Sequence, residues 1–329
     1  MRRSWVALLL VAATVRCDNA GAGRVLEVES AGIVKGLVYL DRNGNRVADP
    51  ADTALRNVRV RLIAAGTFDT TAAPLSDSSG QFRVTTVPAG SYNVALDTTT
   101  LGDSVKLVLI SATQVTVRPR DSLTITATVS FPLVSVRAAR LLPPGKKVFI
   151  QGVLLSPRVA FGDTTGHFAD TSRAIRLTRM RAAAVGIGDS IRLLGVTSIR
   201  DGQATLDDAA PILLGTSSAP VPTVVTPVVA RTANGGVLDA ALVSLVSVKI
   251  FDTLSVDGVP LGPKDYRLRV NTPTDTSLVE VLLDINAGIA PTPRYRPDST
   301  ITVTGVLVPI PGTPGRWRVK PRNVADAPP

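Results

Sequence analysis

Short runs of alternating apolar and polar residues recur along most of the chain, and their period of two is that of β-strands. In the clearest run, Val58, Val60 and Leu62 alternate with Arg59 and Arg61. Residues 30–133 contain seven such runs separated by glycine-containing turns, which predicts a β-sandwich. The predicted strands are Ile33–Leu40, Val58–Ile63, Gln81–Thr85, Tyr92–Leu96, Val105–Ile110, Gln114–Val117 and Ser122–Val129.

The second half of the chain contains one strand pattern twice. Gly188–Val196 is similar to Pro297–Val306, and each is a turn that leads into an alternating strand ending in Gly-Val. Upstream, Lys147–Val153 has the same pattern as Leu242–Val248. The second copy is longer, and Phe251–Asp265 is the predicted place of an insertion of about fourteen residues, because turn signals cluster there.

The whole chain is therefore predicted to be all-β, and composition agrees. Hydrophobic residues make up 45% of the sequence but aromatic residues only 4%, so the cores must be aliphatic. The predicted organisation is a signal peptide at 1–22, a sandwich at 30–133, a module at 136–215, a linker at 216–228 and a second module at 229–329. The linker is rich in proline, serine and threonine, which is typical of an extended connection.

The N-terminal segment has the features of a targeting signal. Two arginines precede the apolar run Trp5–Val15, which is too short to span a bilayer. The chain's one cysteine, Cys17, follows this run and resembles the lipidated cysteine of a bacterial lipoprotein, which would attach the protein to a membrane. Cleavage after Ala20 or Ala22 stays open as the alternative. Both readings predict an extracytoplasmic bacterial protein, either secreted or held at the outer surface.

The formal net charge is +10, and residues 137–215 carry the largest share of it. A basic patch is predicted at Arg173, Arg176, Arg179 and Arg181. Such a patch suits an acidic partner, namely nucleic acid or an acidic glycan, but a solvated arginine surface is the favoured explanation. Single-stranded nucleic acid also needs aromatic platforms. The first copy has only three phenylalanines, and the second has more aromatic residues with little net charge, so nucleic acid is disfavoured.

A loop dense in carboxylates and amides follows the first predicted strand. Calcium takes six to eight oxygen ligands from such loops, often from alternate positions and from a carboxylate at the twelfth. Counted from Asp41, the twelfth residue is Asp52, and Arg46 stands where an EF-hand loop has glycine. The sequence therefore predicts a calcium site. Its predicted ligands are Asp41, Asn43, Asn45, Asp49 and Asp52, with the Val47 carbonyl as a sixth.

Two families resemble parts of the sequence. Asp41–Leu62 resembles the calcium-binding B-type domain of serine-aspartate repeat surface proteins, and Ser76–Leu96 is similar to the related collagen-adhesin B-type domains. This resemblance implies a prealbumin-like β-sandwich. The repeated module resembles the OB-fold barrels of secreted nucleases and bacterial surface proteins. The matching segments are Gly152-Val153, Phe161–Asp163, His167–Asp170, Ala174–Leu177, Gly188-Asp189 and Gly195, and Trp317–Arg322 with Asp326 in the second copy.

Catalytic chemistry is not predicted. Gly-Asp-Ser occurs at Gly102–Ser104 and Gly188–Ser190, but a hydrolase of that kind needs a histidine to activate the serine. The chain's one histidine is His167, and each Gly-Asp-Ser opens an alternating strand, so both are predicted to be turns. Asp207 and Asp208 are predicted to form a solvated turn. We therefore expect a structural, adhesive or ligand-binding protein whose surface ligand is a protein or polysaccharide. A nucleic-acid-binding accessory of an extracellular nuclease system is the alternative.

Overall fold

The computed structural model describes residues 31–328 except 68, 219, 256–264 and 290–294. The predicted signal peptide and Cys17 lie outside the described residues. Over this part the chain forms a two-sheet sandwich followed by two five-stranded barrels, so the predicted all-β class is confirmed. Among the described residues, no helix is both long and apolar enough to cross a bilayer.

The sandwich contains the seven predicted strands and two short ones that the pattern did not reveal. Strand β1 pairs with β5 and β2 on one side and with β9 on the other, and β9 also pairs with β7. The second sheet has the order β4-β3-β6-β8. The strands are β1 (Ala31–Asp41), β2 (Thr53–Ala54), β3 (Val60–Ala64), β4 (Thr70–Ala72), β5 (Gln81–Pro88), β6 (Gly90–Leu96), β7 (Lys106–Ile110), β8 (Gln114–Val117) and β9 (Ser122–Ser130).

The sandwich core is aliphatic, as the composition predicted. Val58, Val60 and Leu62 are buried while the arginines between them are exposed, so the alternation reports the inner face of β3 correctly. Along β9, Ile125 and Ala127 likewise point into the core. The parallel pairing of β1 with β9 was not predicted, because nothing in the local pattern of either strand specifies a partner ninety residues away.

The first barrel closes through the order β10-β11-β12-β14-β13, in which β12 and β14 are parallel. A single-turn helix, α1 (Val136–Ala139), precedes it and places Val136 and Ala139 in the barrel core. The predicted turn Gly188–Ser190 lies at the start of β13. The strands are β10 (Lys147–Ser156), β11 (Gly166–Ala169), β12 (Ala174–Thr178), β13 (Ser190–Arg200) and β14 (Gln203–Gly215).

The second barrel repeats this topology, so the predicted duplication is confirmed. Strand β16 corresponds to β10 and β19 to β13, and β18 pairs with β20 in parallel as β12 does with β14. Helix α2 precedes it and contributes Ala230 and Ala233 to the core. The elements are β15 (Thr223–Val224), α2 (Pro227–Gly236), β16 (Leu242–Ser255), β17 (Tyr266–Asn271), β18 (Val279–Leu283), β19 (Thr300–Pro309) and β20 (Trp317–Lys320).

Two sequence-based boundaries need correction. The extra length of the second copy is not one insertion at Phe251–Asp265, because β16 continues through Ser255 and the connections after β17 and β18 are also longer. The part of that range at 256–264 lies outside the described residues. The predicted linker was too long at its end, because β15 pairs with β16 and α2 begins at Pro227. These residues therefore belong to the second barrel.

Candidate functional site

The predicted calcium loop begins at the end of β1 and is held together by its own polar groups. Asp41 is almost completely buried, and its two carboxylate oxygens accept the backbone N–H groups of Gly44 at 2.6 Å and Arg46 at 2.9 Å. Arg46 has a left-handed backbone with φ of 63°. That conformation favours glycine, which gives a physical reason for glycine at this position in the B-type pattern.

The two other carboxylates of the loop are also engaged. Asn43 and Asn45 each donate a side-chain N–H to the same Asp49 oxygen at 2.8 Å. The hydrogen bonds from Asn43, the Ala51 N–H and Asn45 hold the pKa of Asp49 below its ordinary value. Asp52 accepts the backbone N–H groups of Arg42 and Asp49. The remaining predicted ligand, Val47, has a largely exposed side chain.

This donor set has the oxygen chemistry that calcium prefers, but the amide nitrogens point inward. Amide oxygen and nitrogen exchange places when the group rotates by half a turn. Rotation of Asn43 and Asn45 would turn two oxygens toward Asp49, but it would break the hydrogen bonds that those oxygens now accept from the Asn45 and Val47 backbone N–H groups. In the described part of the chain, no three aspartate, glutamate, histidine or cysteine side chains cluster around one point. In this structure the hydrogen bonds of Asp41, Asp49 and Asp52 hold the loop closed.

The loop also contacts the first barrel. Arg192 of β13 donates one guanidinium N–H to the Gly44 carbonyl at 2.7 Å and another to Gln151 Oε1 at 3.1 Å. Next to this contact, Phe131, Phe149 and Leu194 form a small apolar cluster between sandwich and barrel, and the Phe131 and Phe149 ring centroids are 6.3 Å apart. The loop therefore takes part in a junction between two domains.

Three of the four arginines in the predicted basic patch have partners in the structure, and two of those partners are carboxylates. Arg176 pairs with Asp201 at 3.0 Å, and Arg179 pairs with Asp207 and Asp208 at 3.1 Å each. A side-chain N–H of Arg173 donates to the Val237 carbonyl in the second barrel at 3.0 Å. Of the four predicted residues only Arg181 has no side-chain hydrogen bond or ion pair to the described residues, and it is exposed. The patch is therefore not a free cationic surface.

The prediction of a solvated turn at Asp207 was wrong. Asp207 is buried in β14, where it accepts hydrogen bonds from Thr178, Arg200 and Arg179. Burial raises the pKa of Asp207, but the hydrogen bonds from Arg200 and Thr178 outweigh it and hold the pKa below its ordinary value. Asp208 has a left-handed φ of 52°, at a register shift between β13 and β14. Simple strand alternation fails at such a bulge.

The junction between the barrels contains a buried arginine. Arg322 is 8% exposed, and its guanidinium donates to both oxygens of Asp326 at 2.7 and 2.9 Å. Its remaining terminal nitrogen donates across the junction to the Leu155 carbonyl of β10 at 2.8 Å. A second ion pair, Arg140 with buried Asp239, crosses the same junction at 3.0 Å. Arg322 therefore fixes the second barrel to the first strand of the first.

His167 lies beside this junction in a serine–histidine pair. Ser156 Oγ and His167 Nδ1 are 2.8 Å apart, and both side chains are buried. Burial, with added repulsion from Arg176, Lys320 and Arg322, lowers the pKa of His167 to about 3. The imidazole is thus neutral near pH 7. A serine without solvent access cannot reach a substrate. The Ser156–His167 pair is therefore a structural hydrogen bond and not a catalytic nucleophile with its base.

Comparison with known proteins gives weak likenesses only. No family model and no curated protein matches the sequence. Among solved structures, a minor pilin of Streptococcus agalactiae is 16% identical, with 31% of this chain and 44% of that chain covered and a TM-score of 0.24. The major pilin subunit of Bacillus cereus is 8% identical, with 85% and 90% covered and a TM-score of 0.25.

Two further solved structures are no more similar to this chain. The Bacillus anthracis TIE protein is 10% identical, with 74% of this chain and 46% of that chain covered and a TM-score of 0.23. A Replication Protein A heterotrimer bound to ssDNA is 8% identical, with 84% and 94% covered and a TM-score of 0.21. The chain spans about half the length of the Streptococcus agalactiae pilin and of the Bacillus anthracis protein. At these scores, the likenesses support no argument about activity or ligand.

The sequence identified His167 and Arg322 only as members of an OB-like motif. His167 and Arg322 have their roles because the two barrels are in contact. This contact brings β10 and β11 next to β20 and the residues that follow it. One local signal was present. Arg322 and Asp326 are four residues apart, the spacing of a local ion pair, but the same spacing is common on solvated surfaces.

Proposed function

We propose that this chain is an exported, non-catalytic structural protein of the bacterial surface, a rigid spacer that presents an adhesive or ligand-binding face. The observation that supports it is that consecutive domains are joined by buried contacts. The residues between β9 and β10 continue the hydrogen bonding into the barrel, because Phe149 and Pro132–Val134 exchange backbone hydrogen bonds at 2.9 Å. The barrels meet through Arg322 and an apolar cluster that contains Leu155 and Leu242.

Fixed junctions suit a spacer better than an enzyme with moving domains. Inter-domain motion is the usual expectation for small polar interfaces, whereas here an apolar cluster lies at each junction, and the Arg140–Asp239 ion pair also crosses the junction between the barrels. The resemblance to B-type domains supports a place at the cell surface. Two of the four predicted patch arginines, Arg176 and Arg179, are paired with carboxylates, which argues against the nucleic-acid alternative. For anchoring, we propose lipidated Cys17, which mass spectrometry of the mature N-terminus distinguishes from cleavage after Ala20 or Ala22.

The rigid-spacer proposal predicts a narrow distance distribution between sandwich and first barrel. Nitroxide labels on Thr113→Cys and Ala182→Cys, both at exposed positions, measure this distance by pulsed electron paramagnetic resonance in a Cys17→Ser background. We expect one narrow peak in the parent protein and a broader one after Arg192→Ala, because the Gly44 and Gln151 contacts are lost.

The matched control is Arg83→Ala, an exposed arginine on β5 away from the junction, which should leave the distribution unchanged. A broad or multi-peaked distribution in the parent protein would mean that the domains move independently. That result would remove the spacer proposal.

We further propose that the Asp41–Asp52 loop binds calcium through the predicted ligands, with Asn43 and Asn45 rotated so that their oxygens face Asp49. Calcium at about 100 times its Kd is then expected to stabilise the protein by about 2.7 kcal/mol, because the ion binds the folded state. Thermal melting with millimolar calcium measures the gain as a higher Tm. Magnesium and the Asp49→Asn variant serve as controls and should show little rise. An unchanged Tm in calcium would eliminate the metal site.

A further inference from the structure

A cleft lies where the sandwich meets the first barrel, and we call it the sandwich–barrel cleft. It has a volume of about 340 Å³. The last register position of the first sheet forms one side of it, because Lys106, Ser130 and Asp41 are neighbours across β7, β9 and β1. The first barrel contributes Phe149 and Arg192 to its walls. Residues of both domains therefore shape the cleft.

Three cationic side chains line this cleft, namely Arg46, Lys106 and Arg192. Within the part of the chain that the structure describes, none of the three forms an ion pair. The guanidinium of Arg192 has only neutral partners, the Gly44 carbonyl and the side-chain oxygen of Gln151. Arg46 and Lys106 are exposed, so a ligand in the cleft reaches both of them directly.

Cationic charge exceeds anionic charge in the cleft walls. Asp41 is the one carboxylate among the lining residues, and it is 1% exposed. Its two oxygens face the loop, where they accept the Gly44 and Arg46 backbone N–H groups. Lys147 adds positive charge nearby, since its ammonium lies 5.0 Å from the ring centroid of Phe131, which lines the cleft. A concave surface with an excess of one charge concentrates its potential, so the cleft attracts negative groups.

The fold does not require an arginine at position 46. The backbone there is left-handed, with φ of 63°, a conformation that costs more for arginine than for glycine. The contact that closes the loop is the Arg46 backbone N–H to Asp41, which does not involve the side chain. That side chain is exposed and forms no hydrogen bond or ion pair with the described residues. A side chain that does not stabilise its own loop is available for a ligand.

The rest of the cleft is mainly aliphatic and partly exposed. Val108 is 39% exposed and Leu133 is 56% exposed. The two rings in the wall, Phe131 and Phe149, are buried and offer no stacking surface to a base. This surface suits a ligand that has carboxylates beside aliphatic groups. Small ligands are usually enclosed by their pockets, whereas the two exposed cations suit a chain that continues beyond the cleft, as a peptide does.

We propose that the sandwich–barrel cleft binds an extended acidic segment of a partner protein. Its carboxylates pair with Arg46 and Lys106, and its aliphatic side chains contact Val108 and Leu133. The inference deepens the ligand-binding role proposed above and rests on it for the kind of partner. Its test does not depend on the rigid junction, because neither Arg46 nor Lys106 takes part in the hydrogen bonds of Arg192.

The probe is a fluorescein-labelled pentapeptide that alternates leucine and glutamate and has both ends blocked. Fluorescence anisotropy measures its binding to the purified protein, in EDTA so that no calcium occupies the predicted loop site. We expect saturable binding that weakens as sodium chloride is added, since salt screens exposed charges. A peptide with glutamine in place of glutamate tests the charge, and one with serine in place of leucine tests the aliphatic contact. Both should bind more weakly.

Two variants locate the binding site. Arg46→Gly and Lys106→Met are each expected to weaken the affinity about three- to fivefold, the contribution of an exposed ion pair, and the double variant about tenfold or more. Arg46→Gly should keep or raise the Tm, because glycine adopts the left-handed backbone without strain, so its loss of binding is not a loss of fold. The exposed Arg83→Met on β5 is the matched control and should leave the affinity unchanged.

Three results would overturn the proposal, namely no saturable binding, equal affinity for the glutamine peptide, or parent-like affinity in the double variant. If the distance between the domains stays narrowly distributed in that case, the spacer proposal stands without this ligand. Binding that persists together with a broad distance distribution would remove the rigid spacer and keep the cleft.

Discussion

Replacement of Arg322 by methionine is expected to reduce the free energy of unfolding by about 3–5 kcal/mol. The guanidinium is buried, and its loss removes both of its hydrogen bonds to the Asp326 carboxylate and the one to the Leu155 carbonyl, so Asp326 keeps only the backbone N–H of residue 322. Removal of one partner of a buried pair costs more than the pair itself contributes, because the other charge stays buried and unpaired. Urea unfolding of Arg322→Met against the parent protein measures the difference.

Two comparisons make this result specific. Arg181→Met removes an exposed arginine from the first barrel and should change stability by less than about 0.5 kcal/mol. The double variant Arg322→Met/Asp326→Leu should recover part of the loss, since it also removes the unpaired carboxylate. A parent-like stability for Arg322→Met would show that the barrels do not depend on this contact.

Acid is expected to destabilise the protein through His167 before the carboxylates titrate. The folded pKa of His167 is about 3, against 6.5 for an ordinary histidine. Below pH 6.5 the unfolded chain therefore binds a proton that the folded state does not, so stability is highest above pH 6.5 and falls as the pH decreases toward 3. The loss should be about 2 kcal/mol by pH 5 and at most about 5 kcal/mol at pH 3.

The window from pH 7 to pH 5 isolates this effect. His167 is the only histidine, and aspartate and glutamate titrate mainly below this range. The charged groups that disfavour the protonated ring come from three places in the fold, namely Arg176 on β12, Lys320 on β20 and Arg322 after it. Urea unfolding of His167→Gln should show a flat response in this window. An imidazole that titrates near pH 6.5 in the folded protein would contradict the prediction.

The sequence predicted those strands that are specified by a pattern within the strand itself. Alternation located β3 and β9 on the correct faces, because each buries one side against the other sheet. The repeated Gly-Val strand ends revealed two copies of one barrel, because both close through the same register of their first and fourth strands. The short strands β2 and β4 were missed, since two or three residues are too few to show a period.

The candidate sites depended on contacts that no local pattern contains. The basic patch was predicted from four arginines close together in sequence, but Asp201 and Asp207, which neutralise two of them, come from the next hairpin. The Asp41–Asp52 loop was located correctly as a dense polar loop. Its contact with Arg192 depends on how the sandwich meets the barrel, which the alternation of either part does not specify.

The position of the inter-barrel joint sets an order of folding during synthesis. Strand β20 is needed to close the second barrel, and Arg322 and Asp326, which fasten it to Leu155, follow that strand. The Tyr295 hydroxyl also donates to the Ala327 carbonyl at 2.6 Å. A chain that emerges from its N-terminal side can thus complete the sandwich and the first barrel early, while the second barrel stays open until residue 327 has emerged. During that interval its aliphatic interior is accessible to chaperones and proteases.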